Sequence, residues 1–333
     1  MSNMAYAQAV SRLRAIETKL LDRAKLDRMI DSKSILEAFK LLQETEYGNH
    51  MAMAKRPEDY ENLLSSELKS LYELMYKVSP KKAVVDIMSI RYDYHNIKVL
   101  IKGNALKKDL SDLLIPVATI PVKELKDIIE NKDYYDLNPI MREAIEVAED
   151  IYSKEKDPQK IDIILDTYMY KNMLSIAQGI NDDYLLKFIK INIDISNIKT
   201  LLRVKKQKKD REFLQFVMIE GGTIDVDSFI QMLNESNENI ITKLDHTDYY
   251  EILKFGIEEF NKTGKLNLLE KLSDNFIMKF IKDAKYVSFG AEPLLAYIYA
   301  KENEIKIVRI IMVGKINNIA TDVIKERLRD IYV

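Results

Sequence analysis

One apolar seam, written three times at fixed spacing, limits what this chain can fold into more than any other feature. Ala83, Ile87, Ile90, Tyr94, Ile97 and Ile101 recur at intervals of 4, 3, 4, 3 and 4 residues, the heptad spacing that keeps one stripe of a helix against its neighbours. Moving 101 positions along gives Tyr184, Phe188, Ile191, Ile195, Ile198 and Leu202, and moving 211 gives Leu294, Ile298, Lys301, Ile305, Val308 and Met312. Lys301 alone departs from apolar character, and its aliphatic stem lets the ammonium snorkel or mark a locally wet spot. Each of three units therefore carries one long helix packed on others.

The rest of the sequence supplies little that could interrupt helices. Nine glycines and seven prolines in 333 residues fall below usual abundance, and charged residues at 31% exceed it, so the expected fold class is all-α. Ser79-Pro80, Asn138-Pro139 and Asp157-Pro158 read as helix starts, each a capping side chain before a proline suited to the first turn. Gly48, Gly103, Gly179, Gly264, Gly290 and Gly314 lie near ends of apolar-periodic stretches, where a left-handed cap favours glycine. A second anchor precedes the seams: Thr119 to Ile129 matches Thr223 to Leu233, a polar helix start followed by a short amphipathic helix, and Ser32 to Leu42 reads as a looser first version. A period of about 90 to 100 residues exceeds that of common solenoid repeats, so each unit is a lobe. The lobes are expected over 1–110, 111–215 and 216–333, with the N-terminal helix free to pack elsewhere.

Charges border the seam in register. Asp93, Asp194 and Glu304 fall at heptad position g, and Lys98, Lys199 and Arg309 at the following e. Flanking charges of this kind register helix contacts within a lobe; the alternative is that some face a shared cavity and meet a partner. Asn96 and Asn197 also recur, but Ile307 occupies the third equivalent position, so no ring of three asparagines can form. Beyond the first two seams come basic ends, Lys102, Lys107 and Lys108, then Arg203, Lys205, Lys206, Lys208 and Lys209. Cations complement the dipole of a helix C-terminus, and the same residues form a candidate docking edge for an acidic or polar protein surface.

Catalytic signatures are not found. The chain has no cysteine, which excludes disulfides and thiolate chemistry and fits a reducing cytoplasm. His50, His95 and His246 stand apart, without metal-ligand spacing. Gly221-Gly222 lacks the lysine and hydroxyl of a phosphate loop and reads as the bend before the Thr223 helix start. A formal net charge of −2 gives no field for nucleic acid, and no stretch approaches the roughly 18 apolar residues of a membrane span. No metal, cofactor or active site is expected.

YAQAVSRLRAIETKLLD near the N-terminus, LLQETEYG at 41–48, EGGTIDVDSFIQML at 220–233, GAEPLLAYIYAKENEIKIVRIIMVGKIN at 290–317 and the terminal IKERLRDIYV resemble the C subunits of prokaryotic V-type (A-type) ATPases, a family whose eukaryotic counterpart is the V-ATPase d subunit. The resemblance runs along essentially the whole chain and rests on order and coverage. It implies an all-helical funnel of three similar lobes with a pseudo-three-fold repeat, present as one copy within a hetero-complex and peripheral on the cytoplasmic side of the membrane. In that family the protein sits on the membrane rotor ring, receives the central stalk made of the D and F subunits, and binds no nucleotide. The expected function is thus a non-catalytic rotor adaptor of an ion-translocating ATPase, with an all-helical repeat scaffold for other protein partners as the alternative.

Overall fold

The computed structural model describes residues 3–333. In chain order the α-helices are α1 (Ala7–Glu17), α2 (Arg23–Asp31), α3 (Ile35–Gln43), α4 (Tyr60–Val78), α5 (Lys82–Leu106), α6 (Val122–Asn131), α7 (Pro139–Glu155), α8 (Pro158–Ile180), α9 (Asp183–Lys206), α10 (Arg211–Val217), α11 (Val226–Met232), α12 (Asn237–Lys243), α13 (Tyr250–Thr263), α14 (Asn267–Lys282), α15 (Glu292–Ile316) and α16 (Thr321–Arg327). No strand occurs among the described residues. The protein is all-α, as the seam and the scarcity of helix breakers require.

Local chemistry sets many of these boundaries. Asn138 accepts the Ile140 N–H and Asp157 the Gln159 N–H, each at 2.9 Å, with the following proline at the first helical position. Ser79-Pro80 behaves differently: Ser79 caps the end of α4, and α5 begins two residues past the proline. The left-handed caps also differ from expectation. Gly264 provides one (φ 66°), but Lys107, Lys132, Lys156, Asn181, Lys208 and Asn318 take the same conformation. A lysine there costs backbone strain but brings a cation to the negative end of the helix dipole.

The three seam helices α5, α9 and α15 end alike. The N–H of Lys108, Lys209 and Ile319 bonds back to the carbonyl of Gly103, Val204 and Gly314 at 3.0, 3.2 and 2.9 Å, one residue after left-handed Lys107, Lys208 and Asn318. These are Schellman closures, and they recur at the offsets of the apolar seam. Of the seam positions themselves, only the first in two copies, Ala83 and Tyr184, is half-buried; the rest are buried. Burial extends well past the seam, since Leu295, Ala296, Ile307 and Ile311 of α15 and Ile189, Ile193 and Leu201 of α9 are buried too. A helix apolar on most of its circumference is surrounded by others.

Two compact units divide the chain: one joins the segment up to Val85 to the segment from Glu270 onward, and the other is Asp86–Leu269. In the first, α1, α2, α3, α4 and α16 pack on α15. Leu26, Met29, Phe39, Leu42 and Leu63 from the N-terminal helices share one core with Val308, Ile311 and Met312 of α15. Gly314 lets α16 close in, because a Cβ there would lie 2.5 Å from Ile324 Cδ1. In the second, α7 and α8 form an antiparallel hairpin, α8 lies along α9, and α10 and α11 pack on α9.

Candidate functional site

The acids and amides that border the seam do not point to solvent. Asp93, Asn96, Asp194 and Asn197 have no exposed surface, and Glu304 is 5% exposed. A carboxylate withdrawn from water must find donors within the chain, and each of the three finds them at the start of a short helix.

In the Asp86–Leu269 unit the arrangement occurs twice. Asp93 accepts from the Thr119 N–H at 3.0 Å, the Thr119 hydroxyl at 2.7 Å and the Ile120 N–H at 2.9 Å. Three residues on, Asn96 brackets Ile115, donating to its carbonyl at 2.9 Å and accepting its N–H at 2.8 Å. Asp194 accepts from the Thr223 N–H at 2.9 Å, the Ile224 N–H at 3.1 Å and the Thr223 hydroxyl. A fourth donor, the Tyr249 hydroxyl, reaches it at 2.8 Å. Asn197 then brackets Ile219, at 2.7 Å to the carbonyl and 2.9 Å from the N–H. In each case the carboxylate fixes the residues just ahead of α6 or α11, and the asparagine fixes the loop leading to them. Gly222 is required at the second joint, since a Cβ there would fall 2.1 Å from Asp194 Oδ1.

The third joint uses other chemistry, and it closes across the two chain ends. Glu304 accepts the Leu21 N–H at 2.6 Å through one oxygen and the Lys301 ammonium at 2.7 Å through the other. Leu21 stands two residues before α2, as Ile120 stands before α6 and Ile224 before α11. The counterpart of the Thr119 and Thr223 anchors is therefore Leu20-Leu21-Asp22. Ser32 to Leu42 contains a genuine helix start, with the Ser34 hydroxyl accepting the Glu37 N–H, but it receives no seam carboxylate. Lys301 also pairs with Glu67 at 2.7 Å, and Glu67 meets His50 Nε2 at 3.0 Å. Lys301 is 4% exposed and lies 4.5 Å from the Tyr47 ring centre. Burial opposes its charge, yet Glu304 and Glu67 outweigh that and hold the ammonium above the ordinary lysine range. Lys301 is thus not a snorkelling residue; it is a buried cation held by two acids.

The cations at position e reach sideways to neighbouring helices. Lys98 pairs with Asp166 of α8 at 2.5 Å, and Arg309 makes two bonds to Glu61 of α4 at 2.8 and 3.1 Å. Lys199 is half-buried on α9. Among the basic residues past the seams, Lys102 pairs with Asp162 at 2.5 Å, while Lys107 and Lys108 are exposed at the end of α5. Lys205 donates to the carbonyls of Leu233 and Glu235 at 2.8 and 2.5 Å, and Lys206 donates to the Gly264 carbonyl at 2.7 Å. Arg203, Lys208 and Lys209 are exposed, with the Lys209 ammonium 5.3 Å from the Phe213 ring centre. Of the histidines, His95 bonds the Leu113 carbonyl at 2.9 Å and His246 is exposed beside Asp245. No helix among the described residues is long and apolar enough to cross a membrane.

Periodicity shows where the acids sit but not what they bind. Thr119 and Thr223 are visible as helix starts, yet their bonds to Asp93 and Asp194 have no signature of their own. Glu67, Tyr249 and Leu21 carry no sequence signal at all, because their partners lie 234, 55 and 283 residues away.

The chain matches the ATP synthase (C/AC39) subunit family over residues 9–327. It is 30% identical to the A-type ATP synthase C subunit of Methanocaldococcus jannaschii, across 97% of this chain and 86% of that protein. The V-type sodium ATPase C subunit of Enterococcus hirae is 29% identical, with 99% of each chain covered. The A-type ATP synthase C subunit of a Desulfurococcus species is 27% identical over 96% of this chain and 90% of its own length.

Proposed function

The chain belongs to the ATP synthase (C/AC39) subunit family, and on that footing we propose that it is a non-catalytic adaptor of the central rotor. In this reading it links the central stalk, formed by the D and F subunits, to the membrane rotor ring and passes torque between them from the cytoplasmic face. The observation that carries the proposal is the family match along nearly the whole chain, joined to a site chemistry that braces helices. Torque must cross such a part without being absorbed by bending, and close-packed interiors transmit strain. Helices α5, α9 and α15 are buried around most of their circumference, and each has a carboxylate bonded to the start of another helix. Three similar helical modules within one chain are part of the same proposal, supported by the repeated joints and Schellman closures.

Asp93, Asp194 and Glu304 are assigned the registering role, since the donors within the chain occupy their oxygens. Contact with neighbouring subunits is assigned to exposed cations at the helix ends, Lys107, Lys108, Arg203, Lys208 and Lys209. The test is a complex rebuilt without this chain. Its soluble head should still hydrolyse ATP while ion pumping across the membrane is lost; pumping that survives the omission removes the chain from the coupling path. Recovery of unrelated proteins in place of stalk and ring subunits would favour a general helical scaffold.

A further inference from the structure

Deepening the adaptor reading, and resting on it, we infer that the concavity at the end of α9 is a docking pocket for an acidic, amphipathic segment of another protein in the complex. The cavity is open, has a volume of about 620 Å³, and brings Lys205, Lys206, Lys208 and Lys209 together over Leu233 and Phe260. No acidic side chain lines it. Among the described residues none of the four ammonium groups forms an ion pair with a carboxylate: two bond backbone carbonyls and a third lies over Phe213.

Neutralising helix ends explains only part of this. Lys205 satisfies carbonyls past the end of α11, and Lys206 satisfies the Gly264 carbonyl closing α13. That is the ordinary use of a cation at a helix C-terminus, and it fixes both stems as walls of the pocket. Lys208 and Lys209 remain in surplus. The first is held in the left-handed conformation (φ 53°), which sets the direction in which its side chain leaves the helix. Surplus cations in a concavity raise the local concentration of anions.

The chemistry of the walls favours a carboxylate-bearing polypeptide over a phosphate compound. Phosphates are held by N–H groups at helix N-termini and by forked guanidinium groups; here α9, α11 and α13 present their carbonyl ends, the N-terminus at the wall belongs to the seven-residue α12, where the Ser236 hydroxyl already accepts the Asn239 N–H, and no arginine lines the cavity. Ammonium groups act as separate points of charge, which suits carboxylates spaced along a chain. The half-buried Leu233 and the largely buried Phe260 line an apolar floor that a phosphate would leave uncovered and that an apolar residue between two acids would fill. Gly264 keeps the mouth clear, since a Cβ there would sit 3.3 Å from the Lys206 ammonium.

The experiment compares lysine reactivity in the free chain and in the purified assembled complex, using acetylation by an N-hydroxysuccinimide ester read by mass spectrometry. Lys208 and Lys209 should acetylate several-fold more slowly in the complex, and a zero-length carbodiimide should join one of them to an aspartate or glutamate of a second polypeptide. Equal reactivity in both states overturns the proposal, as does protection without any such cross-link. The double variant K208E/K209E, with a melting temperature unchanged from the parent, should bind the rest of the complex about tenfold more weakly; unchanged binding overturns the proposal as well. Its failure is separable from that of the adaptor reading: equal reactivity together with pumping lost on omission removes only the pocket, and protected lysines together with pumping that survives omission removes only the coupling role.

Discussion

Asp93 and Asp194 occupy equivalent places and differ by one hydroxyl, which makes them internal controls for each other. Replacing Asp194 by Ala strands two backbone N–H groups, the Thr223 hydroxyl and the Tyr249 hydroxyl in a buried site. Leaving such donors unpaired should cost about 3 to 5 kcal/mol, read as a loss of stability in urea unfolding. Tyr249→Phe removes a single bond and should cost only about 1 kcal/mol. Asp93 lacks the tyrosine and carries a pH signature. Burial pushes its carboxyl up to about 6, against the bonds from Ile120 and Thr119 that pull it down. The unfolded value lies near 3.9, so the folded chain binds this proton more tightly than the unfolded one. The stability from protonated Asp93 is complete below about pH 4 and lost as pH rises through about 6, on the order of 2 to 3 kcal/mol in all. Unfolding at pH 4.5 and pH 7 should show this decline in the parent and not in Asp93→Asn; identical slopes would contradict it.

For the helices, the decisive fact is that the seam is the narrowest part of what is buried. Ile191 is 4% exposed on α9, a helix surrounded by α8, α10 and α11, so Ile191→Asp should bury an unpaired charge and cost several kcal/mol. A melt within about 1 °C of the parent would contradict its place in the core. The helix ends predict the opposite sign. Lys107 is exposed, holds φ at 51°, and needs no side chain to close the Lys108 to Gly103 bond. Lys107→Gly should therefore stabilise by about 0.5 to 1 kcal/mol. Left-handed lysines were not legible in the sequence because glycine is the usual marker of such caps and lysine marks only the dipole.

At the scale of the whole molecule the third joint sets the chain apart from a simple tandem array. The first two carboxylates reach forward about one loop, to backbone N–H groups 26 to 30 residues on, while Glu304 reaches back 283 residues to the Leu21 N–H. The unit that contains both ends of the chain is held by this contact, by the Lys301 pairs with Glu304 and Glu67, and by the shared core of α15 with α2, α3 and α4. Lys301→Met should leave two buried carboxylates without their cation and cost about 3 to 5 kcal/mol. Hydrogen exchange should localise the effect: amides of α2 to α4 and α15 should exchange faster, while those of Asp86–Leu269 keep their protection. Uniform acceleration throughout the chain would refute an independent third joint.

The sequence by itself determined the helical class, the three seams and the register of Asp93, Asp194 and Glu304, because each follows from residue spacing along one helix. The acid and asparagine of the first two seams were visible as a repeat for the same reason. Tertiary structure alone decided what those groups hold. Their partners are mostly backbone N–H and carbonyl groups, which nearly every residue possesses, so Leu21 carries no side-chain sign that it stands where Ile120 and Ile224 do. It also decided the fate of Lys301, whose place in an apolar seam is consistent with either a wet surface or a buried ion pair until Glu67 and Glu304 are brought beside it.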